Sequence, residues 1–194
     1  LTSNYNFYKQ KLHQNTKIMV MVKAFGYGNG GYEIAKQLEH LKVGYLGVAF
    51  ADEGIALRKA GITTPIMVLN PEISSYKAMI AYNLEPEMYS LSGITSFIEL
   101  AKEKNLNGYP IHIKIDTGMK RLGFELYEIE TLCTKIKETT SFKIQSVFSH
   151  LAASDAAEHD DFTQQQATIF NEACAQLQHV ISYSFIKHIA NTSA

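Results

Sequence analysis

The sequence predicts an α/β fold: a TIM-type (β/α)8 barrel that is incomplete, with about seven strand–helix units present and at least one strand missing. Three observations predict it. Short apolar runs alternate with helically spaced segments at a period of roughly 20–40 residues, the signature of βαβ units. Several of these runs are nearly continuous in apolar character, as parallel strands covered on both faces require. Polar or reactive residues (Lys23, Asp52, Asn70, Asp116, His150 and Asn191) stand at or just past the C-terminal ends of the runs, and a barrel gathers those ends around one mouth.

The strand candidates, in order, are KIMVMVK (17–23), VGYLGVAF (43–50), TPIMVL (64–69), EPEMYS (85–90), IHIKID (111–116), IQSVFS (144–149) and FIKHIA (185–190). Between them, GYEIAKQLEHL spaces Ile34, Leu38 and Leu41 along one helical face, and ADEGIALRKAG does the same with Ile55, Leu57 and Ala60 before stopping at Gly61. SGITSFIELAKEK opens on Ser92 as a helix N-cap, and a long helix is expected from Asp161 to Gln178. A doubly wound open sheet is the competing parallel architecture. It would need GxGxxG after the first strand, and GYGNGG has the wrong spacing. Seven strands leave an eight-stranded ring open, so a further strand is expected beyond Ala194.

Composition narrows the function. The chain has 194 residues, 46% of them hydrophobic, and a formal net charge of −1. It can bury a substantial core, and it shows no basic footprint for nucleic acid or an anionic membrane. Two cysteines, Cys133 and Cys174, build neither a disulfide framework nor a four-ligand zinc site, and no metal site is expected. A reducing cytoplasm is the simplest setting. No apolar stretch approaches the roughly 20 residues that span a bilayer, and the opening LTSNYNFYKQKLHQNTK lacks a signal-peptide core. It also lacks an initiating methionine, and the chain stops at HIANTSA, so both ends read as cut from something longer.

Four stretches carry residues suited to chemistry. In VKAFGYGNGG, Lys23 follows a buried-type strand and precedes four glycines. It either snorkels to solvent or presents an amine at the barrel mouth that can attack a carbonyl. Tyr27, held between Gly26 and Gly28, is placed to hydrogen-bond whatever that amine holds. In HIKIDTGMKRLGF, Lys114 lies inside an apolar strand and needs a negative partner or a modification that removes its charge. Arg121, in a loop bounded by Gly118 and Gly123, suits an anionic group through its planar fork. His150 in FSHLAASD is either structural or packs on a planar ligand, and Asp155 receives no catalytic role. In HIANTSA, Thr192 and Ser193 fit either a phosphate loop after strand seven or an ordinary helix cap.

Together, VKAFGYGNG, KIDTGMKRLGF, FSHLAASD and HIANTSA resemble the N-terminal barrel domain of the alanine racemases, pyridoxal-phosphate enzymes, with the four motifs in order along nearly the whole chain. DTGMKRLG is the most diagnostic piece. The resemblance implies that Lys23 is the Schiff-base lysine and one catalytic base. It implies that Tyr27 assists at the phosphate, and that Lys114 is the strand lysine often carried as a carbamate. Arg121 would order the cofactor's phenolic oxygen and the substrate carboxylate, and His150 would lie near the pyridine ring. Asn191 and Thr192 match the Asn-Ser of the phosphate loop, and Leu69 and Ser193 would be further cofactor contacts. Phe25, Gly26 and Asn29 depart from the family's usual Lys-Ala-Asp/Asn-Ala-Tyr-Gly-His-Gly.

Residues 1–194 would then be a partial barrel domain, with a C-terminal β domain outside the chain. The implied activity is interconversion of L- and D-alanine by two-base α-proton abstraction, supplying D-alanine for peptidoglycan. The full protein would be a homodimer whose partner subunit supplies a tyrosine as the second base, and this piece alone would be inactive or nearly so. Fusion to another enzyme upstream of Leu1 stays open. The alternatives are a racemase of serine or another small amino acid, a non-enzymatic pyridoxal-phosphate carrier, and a barrel that binds a phosphorylated metabolite with no Schiff base. The Arg121 loop speaks against the carrier.

Overall fold

A computed structural model describes all residues, 1–194. Its seven strands are all parallel and follow the order β1-β2-β3-β4-β5-β6-β7, so each pairs with its neighbours in sequence. This is the strand succession of an incomplete TIM-type barrel, as expected from the alternation of apolar runs with helices. The chain divides into two compact units, Leu1–Pro86 and Glu87–Ala194.

The first unit contains α1 (Thr2–Lys11), β1 (Met19–Met21), the single turn α2 (Lys23–Tyr27), α3 (Gly31–His40), β2 (Tyr45–Val48), α4 (Ala51–Lys59), β3 (Ile66–Val68) and α5 (Tyr76–Ala81). The middle strands are buried through Leu46, Val48, Ile66, Met67 and Val68, while β1, a sheet edge with one partner, is only half-buried. The expected face of α3 is buried at Leu38, joined by Ala35. On α4 the buried stripe is Ala51, Gly54 and Leu57 rather than Ile55, Leu57 and Ala60. Gly54 explains the rotation: a Cβ there would meet both Leu84 methyls at 3.0 Å, so the helix seats on its smallest residue. Arg58 fixes the far end of α4. Its guanidinium donates to the carbonyls of Ile62 (2.8 Å), Thr64 (2.7 Å), Tyr82 (3.2 Å) and Asn83 (3.1 Å), which lie in the loops that lead into the next two strands. Helix α1 had no counterpart among the expected elements. It buries no residue, so it carries no amphipathic signal.

The strand β4 (Glu85–Met88) ends the first unit and opens the second, which continues with α6 (Leu91–Glu103), β5 (Tyr109–Lys114), α7 (Ile129–Lys137), β6 (Phe142–Phe148), α8 (Asp160–Val180) and β7 (Ile186–His188). Ser90, not Ser92, caps α6. Ser90 has extended backbone angles and its hydroxyl accepts from Gly93 N at 3.2 Å, whereas Ser92 already lies inside the helix. The long helix runs two residues further than expected at its C-terminus. The core of this unit is Ile94, Phe97, Ile111, Ile113, Phe124, Leu132, Ile144, Val147, Phe170 and Leu177. Seven of these lie on β5 and β6 or on the helices α7 and α8. No helix is long and apolar enough to cross a membrane.

Candidate active site

In the first unit, the backbone around Lys23 is held in an unusual conformation. Ala24 (φ 51°, ψ 52°), Phe25 (φ 55°, ψ 45°), Gly26 (φ 61°, ψ 39°) and Tyr27 (φ 55°) form one left-handed turn. Such a turn costs roughly 1–2 kcal/mol at each residue with a Cβ, and strain of this kind persists where the surroundings over-determine it. Several bonds do so here. Gly26 N donates to Val22 O (3.0 Å), Gly28 N to Ala24 O (3.1 Å) and Gly30 N to Phe25 O (3.1 Å). The Asn29 amide donates to the carbonyls of Gly26 and Tyr27, both at 3.3 Å. Asn29, a departure from the family motif, therefore closes the turn from its own side chain.

Glu53, in the first turn of α4, ties this turn to the end of β2. One carboxylate oxygen accepts from Ala24 N at 2.6 Å, and the other accepts from Ala49 N at 2.7 Å and Phe50 N at 3.2 Å. Val22 N also donates to Gly47 O at 2.8 Å. Lys23 thus follows the buried Val22, just past the end of β1, and is itself half-exposed on backbone anchored on both sides. Tyr27 is 60% exposed, and Leu69 is half-buried where β3 ends, its N–H donating to Val48 O at 3.0 Å. Glu53→Ala is expected to cost about 2–4 kcal/mol, since three charge-assisted bonds are lost and two of their donors lie in tight loops. Urea denaturation checks that value, and Glu53→Gln should recover only part of it.

In the second unit, the loops after β5, β6 and β7 are joined by hydrogen bonds. Asp116 Oδ1 accepts from Gly118 N (2.8 Å) and Lys120 N (3.1 Å), so the loop that carries Arg121 curls over its own first side chain. Phe124 N donates to Lys114 O and Asp116 N to Phe124 O, both at 2.9 Å, which returns the chain alongside β5. Gly123 makes that return possible. Its φ is +130°, and a Cβ would lie 2.4 Å from Asp116 N.

Behind this loop, Gln166 of α8 is wholly buried. Its amide donates to Thr117 Oγ1 and to His150 O, each at 3.0 Å, and accepts from Ala152 N at 3.0 Å. Ser149 Oγ donates to Ile115 O (2.8 Å) and lies 2.8 Å from Thr117 Oγ1. Ser149 spends its one hydrogen on Ile115, so Thr117 is the donor between the two hydroxyls. Asn191 adds the third loop. Its amide donates to Leu151 O (3.2 Å), and its oxygen accepts from Ser154 Oγ (3.0 Å) and from Ser193 N and Oγ (3.1 and 3.0 Å). Arg121, His150, Thr192 and Ser193 are exposed on these braced loops, and Lys114 is buried at the end of β5.

Also in this unit, Ser146 Oγ lies 2.7 Å from His112 Nδ1 and 3.2 Å from His188 Nε2, and the His188 ring stacks on Phe148 at 4.9 Å. Burial first, and then the like charge of His112, push His188 down to about 4. Glu87 goes the other way. Burial pushes its carboxyl up to about 7, against the opposing pull of Lys114 and Arg121. Between pH 4 and 6.5 the unfolded chain holds a His188 proton that the folded chain has released, so folding strengthens as pH rises through that window. Between pH 4.5 and 7 the folded chain holds a Glu87 proton that the unfolded chain has released, so that contribution weakens as pH rises. Each effect is on the order of 3 kcal/mol, and the two oppose each other where they overlap. Urea midpoints against pH should therefore slope upward in Glu87→Gln and downward in His188→Gln, with the parent's slope between the two.

The cavity lined by Gly108, Phe142 and Tyr183, about 320 Å³, lies at the N-terminal ends of β5 and β6, away from the loops just described. Glu53, Gln166, Ser149 and Glu87 were not among the residues expected from sequence.

The features so far define a parallel β/α fold whose first unit presents an amine, and whose second presents a guanidinium, an imidazole and a hydroxyl-bearing loop, each just past the C-terminal end of a strand. The alanine racemase N-terminal domain family model matches residues 1–194, and the chain belongs to that family. It is 39% identical to alanine racemase of Thermodesulfovibrio yellowstonii over 97% of the chain and 51% of that protein. It is 33% identical to alanine racemase 1 of Oceanobacillus iheyensis over 100% of the chain and 52% of that protein. Among solved structures, alanine racemase of Clostridium difficile 630 superposes with a TM-score of 0.91 at 31% identity, over 99% of the chain and 53% of that protein. Alanine racemase of Bartonella henselae, solved with covalently bound pyridoxal phosphate, gives 0.86 at 28% identity, over 98% of the chain and 54% of that protein. The chain spans about half the length of the curated relatives it matches.

Proposed function

We propose that this chain is the cofactor-binding half of a pyridoxal-phosphate-dependent alanine racemase, an isomerase that interconverts L- and D-alanine and supplies the D-isomer for peptidoglycan. The observation that carries the reading is Lys23 on its anchored left-handed turn, within a chain matched from end to end by the family. The donor set fits the cofactor. A primary amine suits its aldehyde, the Arg121 guanidinium suits its phenolic oxygen, and Tyr27, Thr192, Ser193 and the loop amides suit its phosphate. Lys23 would hold the group, Leu69, His150 and Asn191 would frame it, and Arg121 would also orient the substrate carboxylate. Ser193 directs its hydroxyl and amide at Asn191, so it must turn from that partner to meet a phosphate.

When bound, the cofactor supplies an electron sink for the carbanion left at the α-carbon. The protein's task is then to move one proton. Inversion needs a base on each face, because a single base returning its own proton restores the starting hand. Lys23 Nζ is the base on one face. The second, by the family reading, is a tyrosine of the partner subunit's C-terminal domain in a homodimer. Cys133 and Cys174 are both buried free thiols, in keeping with a cytoplasmic protein.

The test is conversion of L-alanine to D-alanine by the full-length protein with added pyridoxal phosphate, with L-serine as the competing substrate. Faster turnover of serine would move the assignment to a serine racemase. The 194-residue chain alone is expected to give no measurable racemisation, and partner-free activity would contradict the two-base division.

A further inference from the structure

The sequence left two ways for a lysine inside β5 to be tolerated: a negative partner, or a modification that removes its charge. Lys114 has the partner. Its Nζ lies 3.3 Å from Glu87 Oε1, on the adjacent strand β4, with the lysine 8% and the glutamate 0% exposed. The same ammonium lies over the Phe148 ring, 5.4 Å from its centroid. Glu87 and His112 are register partners across β4 and β5, which sets Glu87 two residues from Lys114's own position in the ladder. No directed hydrogen bond reaches either Glu87 oxygen, so the ammonium is the group that answers the carboxylate's charge.

We propose that Glu87 is the built-in counter-ion of Lys114, and that it keeps this lysine an unmodified ammonium in place of the carbamate the family resemblance implies. Capture of CO2 needs the unprotonated amine. The Nζ lone pair forms the new N–C bond, one C–O π pair moves onto oxygen, and an N–H proton leaves to solvent, so a neutral group becomes an anion. An adjacent carboxylate opposes both ends of that step. It favours the ammonium, which has no lone pair to give, and it repels the carbamate, which would be a second buried anion beside the first. Arg121 also acts electrostatically on the same carboxyl, in the direction that favours its ionised form. The role given to the position of Lys114 rests on the family reading, whereas the ion pair does not.

The test is carbon-13 NMR of the full-length protein equilibrated with labelled bicarbonate above pH 7, where Glu87 is ionised and amines capture CO2 most readily. The wild-type spectrum should match that of Lys114→Arg, with no carbamate resonance that depends on Lys114. A stoichiometric resonance present in the wild type and lost in Lys114→Arg would overturn the proposal, whether or not Glu87→Gln folds. In Glu87→Gln a Lys114-dependent resonance should appear, and a folded Glu87→Gln that takes up no label would remove Glu87 from the explanation. Racemisation is read separately, so carbamate found in an active racemase defeats this inference alone, and inactivity defeats the functional reading alone.

Discussion

Lys23→Ala in the full-length protein is expected to lower racemisation at least as far as loss of a general base does, about 10²–10⁴-fold, and further because the cofactor's covalent tether goes with it. Stability should change little, within about 0.5 kcal/mol, because Lys23 is half-exposed and the turn after it is held by backbone bonds and by Glu53. Lys23→Arg should be equally inactive. It keeps the charge, but a guanidinium neither condenses with an aldehyde nor releases a proton near neutral pH. Added methylamine should restore part of the activity to Lys23→Ala and none to Lys23→Arg, whose longer side chain fills the space. The checks are a coupled D-alanine assay and a urea melt on the same preparations.

Gly123→Ala is expected to have the largest effect on stability, about 3 kcal/mol or more. The φ of +130° lies outside what an alanine adopts, and the new Cβ would meet Asp116 N at 2.4 Å and Ile115 C at 2.7 Å. Both are backbone atoms of the strand end, so no side chain can swing aside. The loop must lift, breaking the Asp116–Phe124 and Phe124–Lys114 bonds and displacing Arg121. Activity should therefore fall even at temperatures where the variant stays folded. Gly28→Ala is the control. Its φ is +84°, but an added Cβ has nothing within 4 Å, so only the backbone penalty of roughly 1–2 kcal/mol applies. Equal losses in the two variants would show that the tight return at Gly123 does not matter.

The contrast between these two glycines shows how far the sequence can be read. The strands were legible because each is a local apolar run, and the arginine loop was legible because Gly118 and Gly123 punctuate it. The close approach at Gly123 was not, since it depends on which backbone the loop returns to. The glycines after Lys23 announced a sharp bend, yet three residues with side chains share its left-handed geometry, and no local rule anticipates that.

Glu53 and Gln166 were illegible for another reason. Each is an ordinary polar residue of a helix, and only tertiary packing turns one toward Ala24 N and the other toward Thr117. Glu87 left a trace: an acid inside the apolar run EPEMYS, as anomalous there as Lys114 is inside IHIKID. Two opposite charges buried on strands that proved adjacent form a pair. The sequence raised the question for the lysine and passed over it for the glutamate.

The central claim is that Lys23, not merely the fold around it, holds the cofactor. Borohydride reduction of the full-length protein after addition of pyridoxal phosphate, followed by peptide mass spectrometry, tests it most directly. The account predicts one pyridoxyl group, on the peptide containing Lys23. A stoichiometric adduct on Lys114, Lys120 or any other lysine, with Lys23 unmodified, would contradict it.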